Sequence, residues 1–387
     1  RWLPISGAKR MCECALAGIP LSRRQVLALA AALVPIPTIA NATALRAAAA
    51  AQIPWIDTHV HPLGGKSGGG VGGGRGRGSR GASGDASKAV DSAAAAMAGS
   101  GIATMFLLPP PQIFSGPQPL DYPSFAGPSK AYGTKFRFLG GGGTLNPMLH
   151  EAAAVPTEGA LRHFIEEAET VLRAGAIGFG EMAAHHLSLV PGHPYESVAA
   201  DHPFLLSLAD IAARRDVPID LHFDPVISRM PRPDWAPPTD PAEFEPNFPA
   251  FERLLAHDRN AKIIWAHAGS DNLGQWTVAL SRRMLATHPN LYMSLRMSPG
   301  HAFQNHPLTR EGEIKPAWLR LLADFPDRFV IGGDQFFVDE SDAAGNATLF
   351  ASRAAPTRQR TRVFLAALPE RLAHGIAQAN AARLYKL

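Results

Sequence analysis

Two histidines separated by one residue stand at the end of a short apolar segment, Ile53–Pro62, whose sequence is IPWIDTHVHP. On a β-strand, residues two apart point to the same side, so the imidazoles of His59 and His61 would leave the strand end together. Two imidazoles placed in this way could bind one metal ion. The pattern alone also describes an ordinary polar strand end with two incidental histidines. Its meaning depends on whether other segments supply the missing ligands.

Four further apolar runs finish in a side chain that can bind a metal. These side chains, in chain order, are Glu181, His222, His267 and Asp334. Scattered histidines would not be expected to fall at separate strand ends, although a polar residue where one strand meets water is ordinary. The series HxH, Glu, His, His, Asp therefore predicts a single metal centre built from several strands.

The elements that must position these residues are eight short β-rich runs separated by segments with helical periodicity. The runs are Trp55–Val60, Ile102–Leu108, Phe136–Gly140, Ala176–Gly180, Val217–Phe223, Lys262–Ala266, Leu291–Leu295 and Phe329–Gly333. Their spacing of roughly 28 to 50 residues predicts an α/β fold, a (β/α)8 TIM barrel, in which catalytic residues lie at the C-terminal ends of the strands. A doubly wound open sheet would alternate in the same way, but eight evenly spaced units favour a closed barrel.

Apolar residues repeat at helical spacing between the runs. One stripe comprises Leu161, Phe164, Ile165, Ala168, Val171 and Leu172, a second Phe251, Leu254 and Leu255, and a third Trp318, Leu321 and Leu322. Such stripes predict amphipathic helices whose apolar faces pack against the barrel.

From about residue 53 to its end, the chain resembles the amidohydrolase superfamily, and within it the amidohydrolase-related branch. The resemblance is carried by Asp57-Thr58-His59-Val60-His61, Gly180-Glu181, Leu221-His222, Trp265-Ala266-His267-Ala268-Gly269, Gly332-Gly333-Asp334 and the C-terminal Asn380-Ala381-Ala382-Arg383-Leu384. It implies a distorted (β/α)8 barrel and metal-assisted chemistry.

The same resemblance implies a division of the ligands. His59 and His61 would bind the first metal with Asp334, while His222 and His267 would bind a second metal or orient the substrate. Glu181 occupies the place of the bridging carboxylate or carboxylated lysine of binuclear members, whereas many members of this branch are mononuclear and lack that bridge.

Imidazole and carboxylate ligands without a thiolate suit Zn²⁺ best, and also Mn²⁺, Fe²⁺ or Co²⁺. With such a metal bound, Asp334 would take the proton of the attacking water and give it to the leaving group. His222 or His267 would help to polarise the carbonyl or phosphoryl oxygen. These three residues are the predicted catalytic residues.

Several other polar residues are weaker candidates. Arg296, just past the seventh run, would either clamp a substrate carboxylate or form a surface ion pair. His185 and His186, predicted on the loop after the fourth run, would contact substrate or have a solvated or structural role. Asn146 is a possible substrate contact, and His193, beside a proline, is expected to have a role in a turn.

Composition limits the classes of function. The chain has 387 residues, a balance of 46% hydrophobic to 18% charged residues, and a formal net charge of +4. Residues 1–42 contain five basic residues and one acidic residue, which accounts for this charge, so the remainder is near neutral and shows no global signature of nucleic-acid binding.

The N-terminal region has the features of an export signal. A twin arginine, Arg23-Arg24, precedes an apolar stretch interrupted by prolines, and Ala40-Asn41-Ala42 offers a cleavage site. This pattern predicts a Tat-type signal over residues 1–42 and an alanine-rich linker over 43–52. Export by the Tat machinery would place the product in the periplasm or outside the cell. The apolar stretch is too short and too broken for a stable membrane span.

The predicted barrel covers residues 53–387 and contains a glycine-rich insertion at about 64–84, in the first βα loop. Its arginines would contact substrate from a flexible lid, or the segment is a tolerated insertion. Cys12 and Cys14, the chain's two cysteines, lie in the predicted signal, so the mature chain would contain neither a disulfide nor a thiolate ligand.

These observations predict an exported metal-dependent hydrolase that cleaves a C–N or C–O bond of a small molecule, such as an amide, a lactone or a related ester. Two alternatives remain: a metal-dependent decarboxylase of an aromatic acid, which this branch also contains, and an exported metal- or ligand-binding protein without catalysis. The expected partner is a small-molecule substrate, with homo-oligomers possible and nucleic acid not expected.

Overall fold

The computed structural model describes residues 53–64, 85–116, 119–189, 193–298, 304–339 and 351–387. The predicted signal and linker, and all of the glycine-rich insertion except Gly64, lie outside the described residues. Within the described ranges, no helix is both long and apolar enough to cross a membrane.

Thirteen strands occur in the described residues. They are β1 Trp55–Pro62, β2 Ile102–Leu107, β3 Phe136–Phe138, β4 Gly140–Gly141, β5 Phe179–His186, β6 Glu196–Ser197, β7 Pro218–Phe223, β8 Met230–Pro231, β9 Glu243–Phe244, β10 Lys262–Ala268, β11 Leu291–Leu295, β12 Phe329–Ile331 and β13 Gln335–Phe337. All eight predicted runs contain a strand.

The strands of the main sheet pair in the order β3-β2-β1-β12-β11-β10-β7-β5-β4. Every neighbour along this path is parallel. Because a single residue, Leu139, separates β3 from β4, the two ends of the path are parts of one interrupted strand and the sheet closes on itself. The predicted eight-position barrel is therefore confirmed, and the open-sheet alternative is excluded.

The fourth barrel strand differs from its prediction. β5 begins at Phe179, not Ala176, and continues through Glu181 to His186. The prediction that His185 and His186 lie on a loop is therefore wrong. Antiparallel pairing with β6 extends the strand, because His185 and His186 lie opposite Ser197 and Glu196.

Eleven α-helices occur in the described residues, and most of them cover the outside of the barrel. They are α1 Ser87–Met97, α2 Tyr122–Tyr132, α3 Leu145–Glu151, α4 Glu158–Arg173, α5 Pro203–Arg215, α6 Phe248–His257, α7 Val278–Thr287, α8 Pro316–Asp324, α9 Ala354–Ala367, α10 Glu370–His374 and, after one π-helical turn, α11 Asn380–Tyr385. The three predicted apolar stripes fall on α4, α6 and α8 and face the core.

The barrel interior has its own apolar cluster, separate from the layer beneath the helices. Its buried residues are Ile56, Phe106, Leu108, Leu139, Ile264, Val330, Ala381, Leu384 and Tyr385. The ring of Tyr385 packs edge-on against Phe106 at 4.6 Å between centroids. Helix α11 thus contributes to the barrel filling, while the polar side chains lie toward the carboxyl ends of the strands.

Candidate metal centre

The six predicted ligands meet at the mouth of the barrel, and all are buried or nearly so. Three overlapping groups of side chains bring their ligand atoms within 4.8 Å of one another: His59, His61 and Glu181; Glu181, His222 and His267; and His59, His267 and Asp334. The C-terminal ends of the parallel strands all lie at one rim of the barrel. Residues up to 275 positions apart along the chain are therefore neighbours here.

Glu181 lies between two pairs of histidines. Its Oε2 is 3.4 Å from Nε2 of His59 and 3.2 Å from Nε2 of His61. Its Oε1 is 2.8 Å from Nδ1 of His222 and 3.0 Å from Nε2 of His267. One carboxylate oxygen therefore faces each pair, which is the arrangement that a carboxylate bridging two ions requires.

A backbone carbonyl and an acidic residue orient the two rings of the first pair. Nδ1 of His61 lies 3.0 Å from the carbonyl oxygen of Leu108, which only accepts, so Nδ1 carries the proton. Nδ1 of His59 faces Oδ1 of Asp220 at 3.1 Å. The two Nε2 atoms lie 3.0 Å apart, and both also face Oε2 of Glu181. Burial would lower the pKa of both rings, but the neighbouring carboxylates raise it, so these nitrogens hold a proton that a metal ion would displace.

His222 lies between two carboxylates. Its Nε2 donates to Oδ2 of Asp224 at 3.2 Å, so its Nδ1 points at Glu181. Burial alone would lower the pKa of His222, but the bonds to Asp224 and Glu181 raise that pKa to about 10. The centre thus retains a proton where a metal would bind, and metal ions displace such protons.

The charge of Glu181 and the histidines around it also favour a bound metal ion. Burial would raise the pKa of Glu181, but the surrounding histidines, His59 foremost, hold it well below its usual value. Nδ1 of His267 is buried without a hydrogen-bond partner among the described residues. Imidazole and carboxylate donors gathered around a buried anion fit Zn²⁺ or a similar divalent ion.

Asp334 pairs with two side chains. Its Oδ1 is 3.3 Å from Nε2 of His61, and its Oδ2 is 2.7 Å from a terminal nitrogen of Arg296. Burial would raise the pKa of Asp334, but Arg296 and the histidines lower it well below the usual range. Because Arg296 is only 7% exposed, the predicted alternative of a surface ion pair is wrong: the pair is buried at the site.

The local backbone around two of these residues is strained. His267 and Asp334 have φ values of 71° and 49°, a left-handed conformation that few side chains adopt outside functional sites. Asp57 supports the second of these turns by accepting hydrogen bonds from the backbone N–H of Gly333 and the side chain of Gln335. A Cβ at Gly333 would lie 2.5 Å from Oδ2 of Asp57, so a larger residue there would displace this carboxylate.

An open pocket lies over the centre, and the space within it, open solvent included, is about 640 Å³. Polar, charged and apolar side chains all line it. Its lining comprises Pro110, Pro111, Glu181, His186, Leu189, His193, His222, Phe223, Asp224, Ala266, His267, Ser270, Asn272, Trp276, Arg296, Asp334 and Phe336. Both weaker substrate candidates, Arg296 and His186, therefore line it.

His186 belongs to a second buried polar cluster beside the centre. Its ring is 3.9 Å from the ring of His222, and its Nδ1 is 3.2 Å from Oε1 of Glu196. Burial raises the pKa of Glu196 to about 7 and lowers the pKa of His186 to about 3. The solvated role considered for His186 is wrong.

Three other candidates have different surroundings. Asn146 donates to Glu196 and accepts from the backbone N–H of Ala183, so its amide is used within the protein and does not line the pocket. His185 is buried and bonds to the carbonyl of Asp224 and the hydroxyl of Tyr195, a structural role. His193 packs against His186 in the pocket wall.

Sequence reasoning missed four acidic residues that support the centre: Asp57, Asp220, Asp224 and Glu196. A local signal existed for three of them. Asp220, His222 and Asp224 are spaced two residues apart and so share a face of one extended segment. Asp57 precedes His59 by two residues in the same way. Glu196 had no local signal, because its place depends on the pairing of β6 with β5.

Comparison with known proteins gave matches to amidohydrolases. The family described as amidohydrolase matches residues 146–387. The chain is similar to amidohydrolase 2 from Bifidobacterium longum subsp. infantis, at 12% identity and a TM-score of 0.42, covering 87% of this chain and 99% of that chain. An amidohydrolase from Burkholderia multivorans with bound zinc gives 16% identity and a TM-score of 0.43, covering 86% and 99%.

A mutant of the organophosphorus hydrolase from Deinococcus radiodurans gives 16% identity and a TM-score of 0.49, covering 87% of this chain and 94% of that chain. The search of curated proteins gave no match.

Proposed function

The chain belongs to the amidohydrolase family, and we propose that this metal-dependent hydrolase holds two zinc ions and cleaves a C–N or C–O bond of a small carbonyl compound, such as an amide, a lactone or a related ester. The observation that carries the proposal is the position of Glu181, with one carboxylate oxygen toward each pair of histidines.

The residues divide into two ligand sets that share Glu181. His59, His61 and Asp334 would hold one ion, and His222 and His267 the other. When bound, such ions lower the pKa of an adjacent water from about 15.7 toward 7 and polarise a substrate oxygen. Zinc is proposed because the donor set consists of imidazoles and carboxylates without thiolates.

The chain's own residues would then direct the proton and the substrate. Asp334, held by Arg296 through Oδ2, keeps its other oxygen toward the centre and takes the proton of the attacking water. Arg296 also fixes the orientation of this carboxylate, because guanidinium and carboxylate pair with strict geometry. The apolar wall of the pocket, including Phe223 and Trp276, would exclude water around the substrate.

Elemental analysis of the purified protein tests the proposed centre. Two zinc equivalents per chain are expected, falling to about one in the variant Glu181→Ala. One equivalent in the wild type would remove the bridging role of Glu181. No bound metal, and no activity on adding Zn²⁺ or Mn²⁺, would favour a binding protein without catalysis.

A substrate panel tests the reaction class. It contains δ-valerolactone, 4-nitrophenyl acetate, benzyl acetate and 4-nitroacetanilide, assayed with zinc-loaded enzyme. Turnover of any member that is abolished by a chelator and restored by zinc supports hydrolysis. Failure on the whole panel, together with release of CO₂ from an aromatic acid such as 2,6-dihydroxybenzoate, would replace hydrolysis with decarboxylation.

We also propose that the protein is exported by the Tat machinery to the periplasm, on the sequence pattern around Arg23 and Arg24 alone. Changing both arginines to lysine in the full chain should retain the product in the cytoplasm of a bacterial host. Unchanged export of the double variant would contradict this route.

A further inference from the structure

A hydrogen-bonded chain leads from the buried carboxyl of Glu196 through the ring of His186 to the pocket. We propose that His186 is a second catalytic residue, which hydrogen-bonds through Nε2 to the leaving atom of the substrate and gives it a proton, and that Glu196 positions His186 and resupplies that proton. This inference rests on the proposed hydrolysis. It assigns to His186 the protonation of the leaving group that the sequence led us to expect from Asp334, which keeps its role as acceptor of the water proton.

The orientation of the His186 ring is fixed by contacts on its Nδ1 side. Nδ1 lies 3.2 Å from Oε1 of Glu196, and the ring packs against those of His193 and His222. Nε2 has no hydrogen-bond partner within the described residues and is not among their buried atoms lacking one. Since His186 also lines the pocket, Nε2 is the atom presented to a ligand.

The surroundings of Glu196 determine which of its oxygens holds a proton. Oε2 accepts from the amide of Asn146 at 3.1 Å. It also lies 3.4 Å from Nε2 of His150, a nitrogen that must carry hydrogen because it donates to the carbonyl of Ala183. Oε1 is thus the oxygen free to bear a proton and to donate it to Nδ1 of His186, which places the ring hydrogen on Nε2.

Burial supports the presence of that proton, because it raises the pKa of Glu196 to about 7. Glu196 therefore keeps a transferable proton on Oε1, in contact with Nδ1 of His186. His186 can pass one proton on at Nε2 while it receives another at Nδ1, so the ring stays neutral throughout.

The location of His186 in the barrel suits the leaving side of the reaction. It stands on the fourth barrel strand, whereas Asp334 follows the eighth, and these positions are opposite each other in an eight-stranded barrel. A carbonyl group bound between them would be approached by water from the Asp334 side and would release its leaving group toward His186.

The irregular course of β5 explains how this position arises. Glu181 and His186 are five residues apart, so a regular strand would point them to opposite faces. Shifts in the pairing with β7, between Phe179 and Met182 and between Ala183 and His185, break the alternation. Such irregularities redirect side chains near active sites.

The proposed step balances as follows. As the C–O or C–N bond breaks, its electron pair stays on the leaving atom, which takes the proton from Nε2 of His186. Oε1 of Glu196 passes its proton to Nδ1. The proton that water gave to Asp334 is released to solvent. A proton from solvent then reaches Nε2 of His186 while the Nδ1 proton returns to Oε1 of Glu196, which restores the starting tautomer, so one water is consumed for each bond cleaved.

Two acetate esters with different leaving groups test the role of His186. In benzyl acetate the alkoxide leaves poorly without a proton, whereas 4-nitrophenolate departs from 4-nitrophenyl acetate unaided. His186→Asn should lower kcat/KM about 100-fold for benzyl acetate and less than about 5-fold for the nitrophenyl ester, since general acid catalysis typically contributes 10²–10⁴-fold. Glu196→Gln should show the same selectivity at about 10-fold.

Three measurements keep the test decisive. His257→Asn, which removes a comparable histidine–carboxylate contact with Asp210 on the outer helices, should change neither rate. Zinc content and melting temperature should match wild type in all variants. An equal loss on the two esters in His186→Asn or Glu196→Gln would overturn the inference and leave the proposed hydrolysis intact. A wild-type enzyme that cleaves neither ester would overturn the proposed hydrolysis of esters and, with it, this inference.

Discussion

At the residue scale, Asp334 is the residue on which the chemistry depends most. Its two oxygens have different partners, since Oδ1 faces His61 and Oδ2 is held by Arg296. An amide at this position could still offer one oxygen to a metal, but it could not take a proton from water. Its nitrogen would also face the guanidinium of Arg296, which only donates hydrogen bonds.

We therefore expect Asp334→Asn to lower kcat by 10²–10⁴-fold, the usual range for loss of a general base. At least one zinc equivalent should remain bound, measured by elemental analysis on the same sample. Asp327→Asn, an exposed carboxyl on the preceding turn, serves as the matched control. Turnover within about 3-fold of wild type in the Asp334 variant would exclude this residue as the proton acceptor.

Asp220 acts on the metal centre indirectly, through His59. Both of its carboxylate oxygens are buried without a regular hydrogen bond among the described residues, and Oδ1 faces Nδ1 of His59 at 3.1 Å. A proton held on Nδ1 toward this carboxylate leaves Nε2 as the nitrogen that would bind a metal. A carboxylate behind a histidine ligand also increases the basicity of that ligand.

Replacing Asp220 with Asn should weaken zinc binding by about 10–100-fold, as loss of such partners usually does. Competition with a fluorescent chelator measures the affinity directly, independently of activity. Asp201→Asn, an acidic residue outside the centre that pairs with Arg253, should leave the affinity unchanged. Equal affinities for the Asp220 variant and wild type would show that the backbone alone fixes the orientation of His59.

At the element scale, β3 and β4 depend on one buried carboxyl. Asp121 caps α2 by accepting from the N–H of Tyr122, and it also accepts from the N–H groups of Gly141 and Gly143 and from Thr144. These glycines are crowded, since a Cβ at Gly143 would lie 2.2 Å from the carbonyl oxygen of Leu120. Asp121 thus connects the interrupted third strand to the helix before it.

Asp121 should also make stability depend on pH. Burial raises its pKa to about 6 despite these hydrogen bonds, against an unfolded value near 3.9. Because the pKa of Asp121 is higher in the folded state, its stabilising contribution is fully present below pH of about 4. That contribution is lost as the pH rises through about 6.

In Asp121→Asn, the decrease in the free energy of unfolding between pH 4 and pH 7 should be smaller than in wild type by about 1–3 kcal/mol. Urea denaturation at both pH values measures this difference. The variant should also be less stable at pH 7, because an amide nitrogen cannot accept from backbone N–H groups. Asp258→Asn, at a half-buried turn position outside this cluster, controls for net charge. An unchanged pH dependence in the Asp121 variant would contradict the raised pKa.

An element can be predicted from the sequence when neighbouring residues determine its position, and not when pairing with a distant segment determines it. The eight runs and the three helix stripes were predictable because alternation and helical periodicity are properties of neighbouring residues in the sequence. The continuation of β5 to His186 was not, because it arises from pairing with β6, whose register no local pattern specifies. The ligands at strand ends were predictable for the same local reason, whereas the contact between Glu196 and His186 was not.

At the scale of the whole molecule, the barrel and the centre depend on each other. The ligands come from β1, β5, β7, β10 and the turn after β12, so a metal bound by them connects strands around the circumference. The same closure buries imidazoles and carboxylates together at a cost, because ionisable groups lose their hydration. Bound ions would remove that cost, and stability should therefore follow zinc concentration.

Zinc should accordingly stabilise the folded chain through binding linkage. Free zinc at 100 times its dissociation constant adds about 2.7 kcal/mol to the free energy of unfolding, so thermal melting should shift upward with zinc and fall after dialysis against a chelator. In the double variant His59→Asn/His222→Asn, which removes one histidine from each pair, the shift should nearly vanish. A control variant, His257→Asn, should retain it. A zinc-independent melting temperature in the wild type would show that the six side chains form a structural polar network and not a metal centre.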